Sequence, residues 1–540
     1  MYRIHQIKLR PGEPLDRLPQ KILKKLGHVA KGCTIDEYKV VKESIDARDK
    51  NEIRLVYSVD FTLKPDRRLE ANPRLGLEKA PDMSYKEAVS RPDAVTLAHR
   101  PVIVGFGPAG MFAALILARA GYRPLVLERG QDVDSRTASV EHFWETGELD
   151  TESNVQFGEG GAGTFSDGKL TTGIKDPRIR KVLEELAAAG GPKDILYRQK
   201  PHIGTDVLRN VVKTIREEIK SLGGEVRFGC RVSDIVVEKG GTGRDCRIAG
   251  VISAGGEVIG CEAAVFAIGH SSRDTFRWLY EKGIDMAQKP FSIGVRIEHP
   301  QEMIDRAQYG APASELGLPA ADYKLNYRCE NGRGVYTFCM CPGGKVVIAS
   351  SQEGGVVTNG MSYHGRDSGT ANSALLCDVR VSDFGSDHVL AGVEFQEKYE
   401  RLAFINGGGG YKAPKCNWGQ FRNPDDETLS EEAKSDAESV ANSLPEFAAA
   451  AIREAMPHLG RKLKGFDRDD AVMTAVEARS SSPVRFARNG ELVGSMDGGR
   501  VLDGFYPCGE GAGYAGGIMS AAVDGIKAAE AIIEKWLPAE

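Results

Sequence analysis

The six residues Gly105-Phe106-Gly107-Pro108-Ala109-Gly110 constrain this chain more than any other feature. A G-x-G-x-x-G turn alone is weak, but here every flanking element stands in order. Val102-Ile103-Val104 is a short, fully apolar run of the kind a parallel strand buried on both faces requires. Met111 to Ala120 then carries a helical pattern with Gly121 as its C-terminal cap, and Pro124 to Leu127 is a second buried strand ending on Glu128. The unit is βαβ. Gly105 permits the tight turn, Gly107 lets the backbone approach a pyrophosphate, and Gly110 lets the helix lie close to the sheet. Pro108 and Ala109 open the helix, whose free amides meet phosphate charge. Glu128 lies roughly 20 residues on, where a carboxylate accepts ribose hydroxyls and disfavours a 2′-phosphate; Arg129 follows it. The unit predicts a bound dinucleotide.

A second glycine segment lies near the C-terminus. Tyr506-Pro507-Cys508-Gly509-Glu510-Gly511-Ala512-Gly513 leads into an apolar helix from Gly517 to Trp536. The arrangement resembles glutathione-reductase-type flavoproteins. The resemblance implies that Gly509 and Glu510 hold the ribityl and pyrophosphate side of FAD, and that the helix opening at Gly517-Ile518 points its positive end at the flavin pyrimidine. Plain NAD domains lack this return. A third loop, Gly158 to Lys169, resembles the stretch that lies along flavin and pyrophosphate in the same superfamily. It contributes Gly160, Gly161, Ala162, Gly163 and Thr164, with Leu170 behind it, while Lys169 faces either the isoalloxazine or solvent. Val232, Ala267 and Gly269, at the ends of the later strands, complete the cofactor contacts that the resemblance implies.

Together these motifs are similar to those of bacterial FAD-dependent dehydrogenases, the NAD(P)/FAD-dependent oxidoreductases. The similarity extends to Phe291 to Pro300, Cys339 to Gly344, Gly354 to Ser362, and Ser44 to Arg48 in the N-terminal region. It implies FAD and hydride or electron transfer at flavin N5, with NAD(P)H as a candidate external donor, and names no substrate. Saturated versus unsaturated C–C chemistry is one conceivable reaction, by resemblance to other flavin reductases with a single such unit.

At 540 residues the chain is too long for one core. Residues 1–97 alternate strand (Tyr2 to Leu9), helix (Pro14 to Leu26) and two strands (Tyr38 to Ile45, Ile53 to Leu63), the pattern of a small ferredoxin-like α+β module. Its linker carries a short expected helix at Ser84 to Ser90. Residues 98–289 form the first part of the FAD-binding domain, including a helix capped by Thr205. Residues 290–464 read as an inserted cap, strand-rich and then helical from Ser430 to Met456. Residues 465–540 close the FAD-binding domain. The expected fold class is therefore α/β: a Rossmann-type FAD domain, an inserted mixed α+β cap and a small N-terminal α+β domain.

Arg296 and His299, on a strand entering the cap, are candidates for holding an anionic substrate and moving a proton, or else form a structural ion pair and an ordinary histidine. Cys339 and Cys341 alternate on an expected strand, which holds their sulfurs apart and favours buried core thiols over a redox pair. No second G-x-G-x-x-G follows a buried strand, which disfavours the pyridine-nucleotide disulfide reductases. His364 and Lys412 sit in glycine-bearing loops and read as solvated. No nucleophile elbow, P-loop or zinc motif occurs, so no metal is expected. A net charge of −5 gives no footprint for nucleic acid or an anionic membrane, leaving small molecules as expected partners. The basic stretch Lys21 to Lys31 is the one feature favouring an RNA-associated alternative, and a sensor whose N-terminal module docks a protein is another. With no signal-like N-terminus and scattered cysteines, the expected location is the cytoplasm.

Overall fold

The computed structural model describes residues 1–239, 246–424 and 426–540. The βαβ unit grows into a five-stranded, wholly parallel sheet, ordered Phe505–Pro507, Ala264–Phe266, Val102–Val104, Leu125–Leu127, Glu225–Arg227. Side chains alternate between its faces as the strand period dictates. Ile103, Val126 and Val265 meet the helices Pro108–Arg119, Thr205–Ser221 and Ile518–Lys535, while Val102, Val104, Leu125 and Leu127 meet an antiparallel meander led by Val232–Lys239 and Cys246–Ser253. The two apolar helices Pro108–Arg119 and Ile518–Lys535 cross closely, because a Cβ on Gly525 would fall 2.0 Å from the Ala109 carbonyl oxygen. Thr205 is the first residue of its helix and does not cap it; its buried hydroxyl donates to the Ser166 carbonyl at 2.7 Å.

The cap is a six-stranded antiparallel sheet ordered Asn326–Arg328, Gly334–Cys341, Thr370–Val379, Phe291–Pro300, Val472–Glu477, Lys415–Asn417. Val472–Glu477 pairs with Phe291–Pro300, so the cap sheet runs past the expected limit at 464. The expected helix from Ser430 to Met456 is two helices, Glu431–Asn442 and Glu446–Lys462, because Pro445 ends the first and opens the second. The latter buries Ala448, Ile452 and Leu459 against Ile293, Val295 and Ile297 of the sheet.

At the N-terminus Tyr2–Leu9, Thr34–Asp46, Arg54–Lys64 and Leu77–Lys79 form an antiparallel sheet. Leu18–Leu26 covers it with Leu18, Ile22 and Leu26. Residues 65–76 join the last two strands without the second helix of a βαββαβ unit. Nor is there a helix at Ser84 to Ser90. That stretch lies extended along the terminal helix, where the Tyr85 hydroxyl donates to Glu530 at 2.8 Å and Arg91 N–H to the Glu534 carbonyl at 2.9 Å. Val95–Thr96 then pairs in parallel with Trp536–Leu537. Among the described residues no helix is long and apolar enough to cross a membrane.

Candidate cofactor and redox site

A cavity of about 1010 Å³ opens beyond the carboxyl ends of the parallel strands and is roofed by the cap sheet. It lies where the chain order along the sheet reverses, between Val102–Val104 and Ala264–Phe266. Three glycine loops build its floor by touching one another. A Cβ on Gly161 would stand 2.9 Å from Gly107 Cα, one on Gly163 2.9 Å from Ile518 Cγ1, and one on Gly509 2.8 Å from Ala109 Cβ. The helices beginning at Pro108 and at Ile518 have no side-chain cap, and both first turns line the cavity. Two uncompensated helix N-termini thus face one space.

Of the residues expected around the cofactor, Gly105, Gly107, Pro108, Ala109, Glu128, Arg129, Gly161, Ala162, Gly163, Lys169, Val232, Ala267, Gly269, Glu510, Gly517 and Ile518 line the cavity. Gly110, Gly160, Thr164, Leu170 and Gly509 stand behind it. Gly110 packs on the Gly105 carbonyl, Leu170 is core, and the Thr164 hydroxyl donates to the Glu159 carbonyl. Gly509 N–H donates to Asp524 at 2.7 Å, and Arg488 holds that carboxylate at 2.8 Å. Glu128 accepts from the amides of Phe106 (2.7 Å), Gly130 and Gly158 (2.9 Å each), so one carboxylate ties the first glycine turn to the third loop. Arg129 spans Glu152 and Asp274 at 3.0 Å each.

Neither cap candidate reaches the cavity. His299 is buried, its Nε2–H donates to the Phe466 carbonyl at 2.7 Å, and it stacks on that ring at 4.8 Å. Burial lowers its pKa to about 4, so the ring is neutral. His299→Gln is expected to cost about 1–3 kcal/mol of stability and to leave cofactor retention unchanged, checked by thermal melting beside the flavin spectrum. Arg296 is wholly buried and pairs bidentately with Glu477 at 2.8 and 2.9 Å. Its remaining donors go to the Cys339 carbonyl (2.9 Å), Asn359 (3.0 Å) and Asn372 (3.1 Å). Burial opposes its charge, but Glu477 and the two cysteines hold its pKa above the ordinary value. It therefore braces the wall that Glu477, Asn359 and Cys339 present. His364 stacks on His202 and its Nδ1–H donates to the Ile203 carbonyl at 3.0 Å, and Lys412 is exposed; neither lines the cavity.

The strand carrying Cys339 and Cys341 is not extended between them. Its register against Thr370–Val379 slips between Phe338 and Cys341, and Cys339 takes a φ of 43°. This β-bulge turns Cys341 back on Cys339, its thiol donating to the Cys339 carbonyl at 3.3 Å, where a regular strand was expected to keep the two residues extended. The sequence reading also passed over Asp167, Arg366, His270 and Arg479, all on the cavity wall. Asp167 is buried between Lys169 (3.0 Å) and Arg366 (2.6 Å), whose charges outweigh burial and hold its carboxyl well below the usual range. His270 Nδ1 lies 3.6 Å from Glu510. Asp167-Gly168-Lys169 was open to notice as an acid and a base ending a glycine loop; the partners from the cap carried no local signal.

An alignment over 545 residues with a protein of Clostridium beijerinckii, described as an uncharacterized protein, gives 49% identity and spans 99% of each chain. The chain belongs to the family of that protein. Within it, residues 290–480 match the family described as FAD-dependent protein, C-terminal domain-like, which takes in the cap sheet through Glu477. Residues 1–62 match a domain of unknown function. Among solved structures, glycine oxidase from Bacillus cereus overlays with 11% identity across 82% of this chain and 98% of its own, at a TM-score of 0.31. L-proline dehydrogenase from P. horikoshii gives 12% across 83% and 96%, at 0.32. Overlays this loose carry no argument about chemistry.

Proposed function

We propose that this chain is an FAD-dependent oxidoreductase, with a glutathione-reductase-type flavin domain and a substrate site under the cap. The observation that carries the reading is the convergence of three touching glycine loops and two uncapped helix N-termini on one cavity. That combination suits a long dianionic nucleotide: the amides of Ala109 and Gly110 toward the pyrophosphate, Glu128 with one acceptor site left toward the adenosine ribose, and the helix end at Ile518 toward the electron-rich end of the ring. The cavity, at about 1010 Å³, is at the upper end of the range of ~300–1,000 Å³ usual for cofactor pockets, leaving room for a small substrate beside the flavin. The match of residues 290–480 to an FAD-dependent family supports the same reading.

Bound there, FAD supplies hydride or electron transfer at N5. The chain's own part is to bind and orient the cofactor, to exclude water with the cap sheet, and to set the charge at the cap end, where Lys169 and Arg366 flank Asp167. NADH or NADPH is assigned as a donor acting from solution. The purified chain is expected to carry, or take up, one released-and-identifiable FAD and to bleach on anaerobic addition of a nicotinamide donor. A colourless chain that cannot be loaded with FAD removes the proposal.

A further inference from the structure

We infer that Cys339 and Cys341 form a second redox centre of this site, a dithiol/disulfide pair that passes an electron pair to the flavin and so admits a small thiol as reductant. The inference rests on the FAD reading above. Three features of the cavity roof carry it.

The first is backbone geometry. Alternate residues of a regular strand lie roughly 6.6 Å apart along it, at the outer limit for a disulfide, whose Cα atoms are usually about 4.4–6.8 Å apart. The bulge at Cys339, with its left-handed φ of 43°, folds the strand back at this point and brings the Cys341 sulfur to 3.3 Å from the Cys339 carbonyl, so that both thiols stand at one bend of the chain. The second is their unequal access. Cys339 is part-exposed and lines the cavity; Cys341 is fully buried behind it, its Sγ 3.3 Å from the Cys339 carbonyl oxygen. An accessible attacking sulfur with a covered resolving one is the arrangement that thiol exchange needs. The third is charge. The carbonyls of the bulge are pinned by cations from two other elements, Arg296 on the Cys339 carbonyl at 2.9 Å and Lys169 Nζ on the Met340 carbonyl. The hydrogen bond from Cys341 holds the Cys339 thiol well below its usual range against burial, and Lys169 and Arg296 reinforce it. Cys341 moves well above its usual range and keeps its proton.

The step balances without further reagents. A Cys339 thiolate and a Cys341 thiol lose one proton and two electrons as the S–S bond forms; both electrons and that proton go to oxidised flavin, giving the anionic reduced form. One dithiol, or two equivalents of a monothiol, then reopens the disulfide by exchange through a mixed disulfide and leaves as the oxidised disulfide. Arg296 and Lys169 are positioning residues, acting through the bulge.

The test uses the full chain loaded with FAD, under argon. Retention of the yellow colour through gel filtration checks the reading underneath; a colourless chain overturns both. With a yellow chain, dithiothreitol is added and bleaching followed for the wild type, Cys339→Ser and Cys341→Ser, each also reduced with dithionite, which needs no protein thiol. The wild type is expected to bleach with dithiothreitol at least about 10-fold faster than either variant, while dithionite bleaches all three alike. In parallel, wild-type chain held in oxidised dithiothreitol is quenched with N-ethylmaleimide and digested with trypsin. Peptide 334–345 is expected two hydrogens lighter and unalkylated. Equal bleaching of the three yellow proteins, or a peptide alkylated at both cysteines under oxidising conditions, overturns the inference and leaves FAD binding intact.

Discussion

Gly110→Val is expected to give a chain that retains no flavin and melts well below the wild type. A Cβ at Gly110 would stand 1.9 Å from the Gly105 carbonyl oxygen and 3.2 Å from Ile103 Cγ2. The nearest atom belongs to backbone, so no rotamer change relieves the clash. The helix must back away from the turn, and the amides of its first turn leave the cavity with it. Overpacking of a core by this much costs about 3 kcal/mol or more. Gly121→Val at the other end of the same helix is the control: its φ of 85° is unfavourable to valine, but a Cβ there meets nothing within 4 Å. About 1–2 kcal/mol is expected for it, with flavin retained. Thermal melting and the visible spectrum of both variants decide the matter; a yellow, stable Gly110→Val protein would mean that the turn does not hold the helix.

The second large effect is expected at Glu400. Its buried carboxylate takes Arg273 at 2.7 and 2.9 Å and Arg479 at 2.7 and 2.9 Å, joining the helix Arg273–Glu281 of the nucleotide half to the end of the cap sheet. Burial disfavours its charge, yet the two guanidiniums outweigh burial and hold its pKa at about 2, against an ordinary 4.5. Glu400→Gln leaves two buried cations facing each other without a counter-ion, which costs about 3–5 kcal/mol. The pH dependence has a definite sign. The folded carboxylate binds its proton less readily than the unfolded one, so its contribution is complete above pH 4.5 and fades as the pH falls toward 2. Urea unfolding should therefore show a gap between wild type and variant that is wide at neutral pH and narrows on acidification. A gap independent of pH would count against the charge as its cause.

The first glycine turn was legible because three signals coincide there: continuous apolar strands, a helical period and glycines at fixed offsets. Each is local. The return segment at Gly509 was legible only through resemblance, and what makes it matter, the contact of Gly525 with Ala109, lies between residues far apart in the chain. The central cap strand Thr370–Val379 was missed, since Ala371 to Cys377 shows no alternation and is buried on both faces. Cap strands on either side pair along its length and override weak local preference. The bend between Cys339 and Cys341 was not legible for a related reason. A period of two was assumed to persist, and nothing in Phe338-Cys339-Met340-Cys341 announces a bulge that Arg296 and Lys169 stabilise from elsewhere. Arg296 was noticed for its chemistry, while its burial and its pairing with Glu477 depended on where the sheet places the two strands.

The closing of the nucleotide domain by its last helix sets an order of events during synthesis. Tyr122, just past the first helix, donates its hydroxyl to the Trp536 carbonyl, 414 residues further on. At a ribosomal pace of about 5–20 residues per second, roughly 20–80 s separate the two. For that interval the nascent chain presents the apolar helix Pro108–Arg119 without its partner and half a cradle for the cofactor. On the proposed reading, flavin capture then waits until the helix Ile518–Lys535 has been made and has closed on Pro108–Arg119.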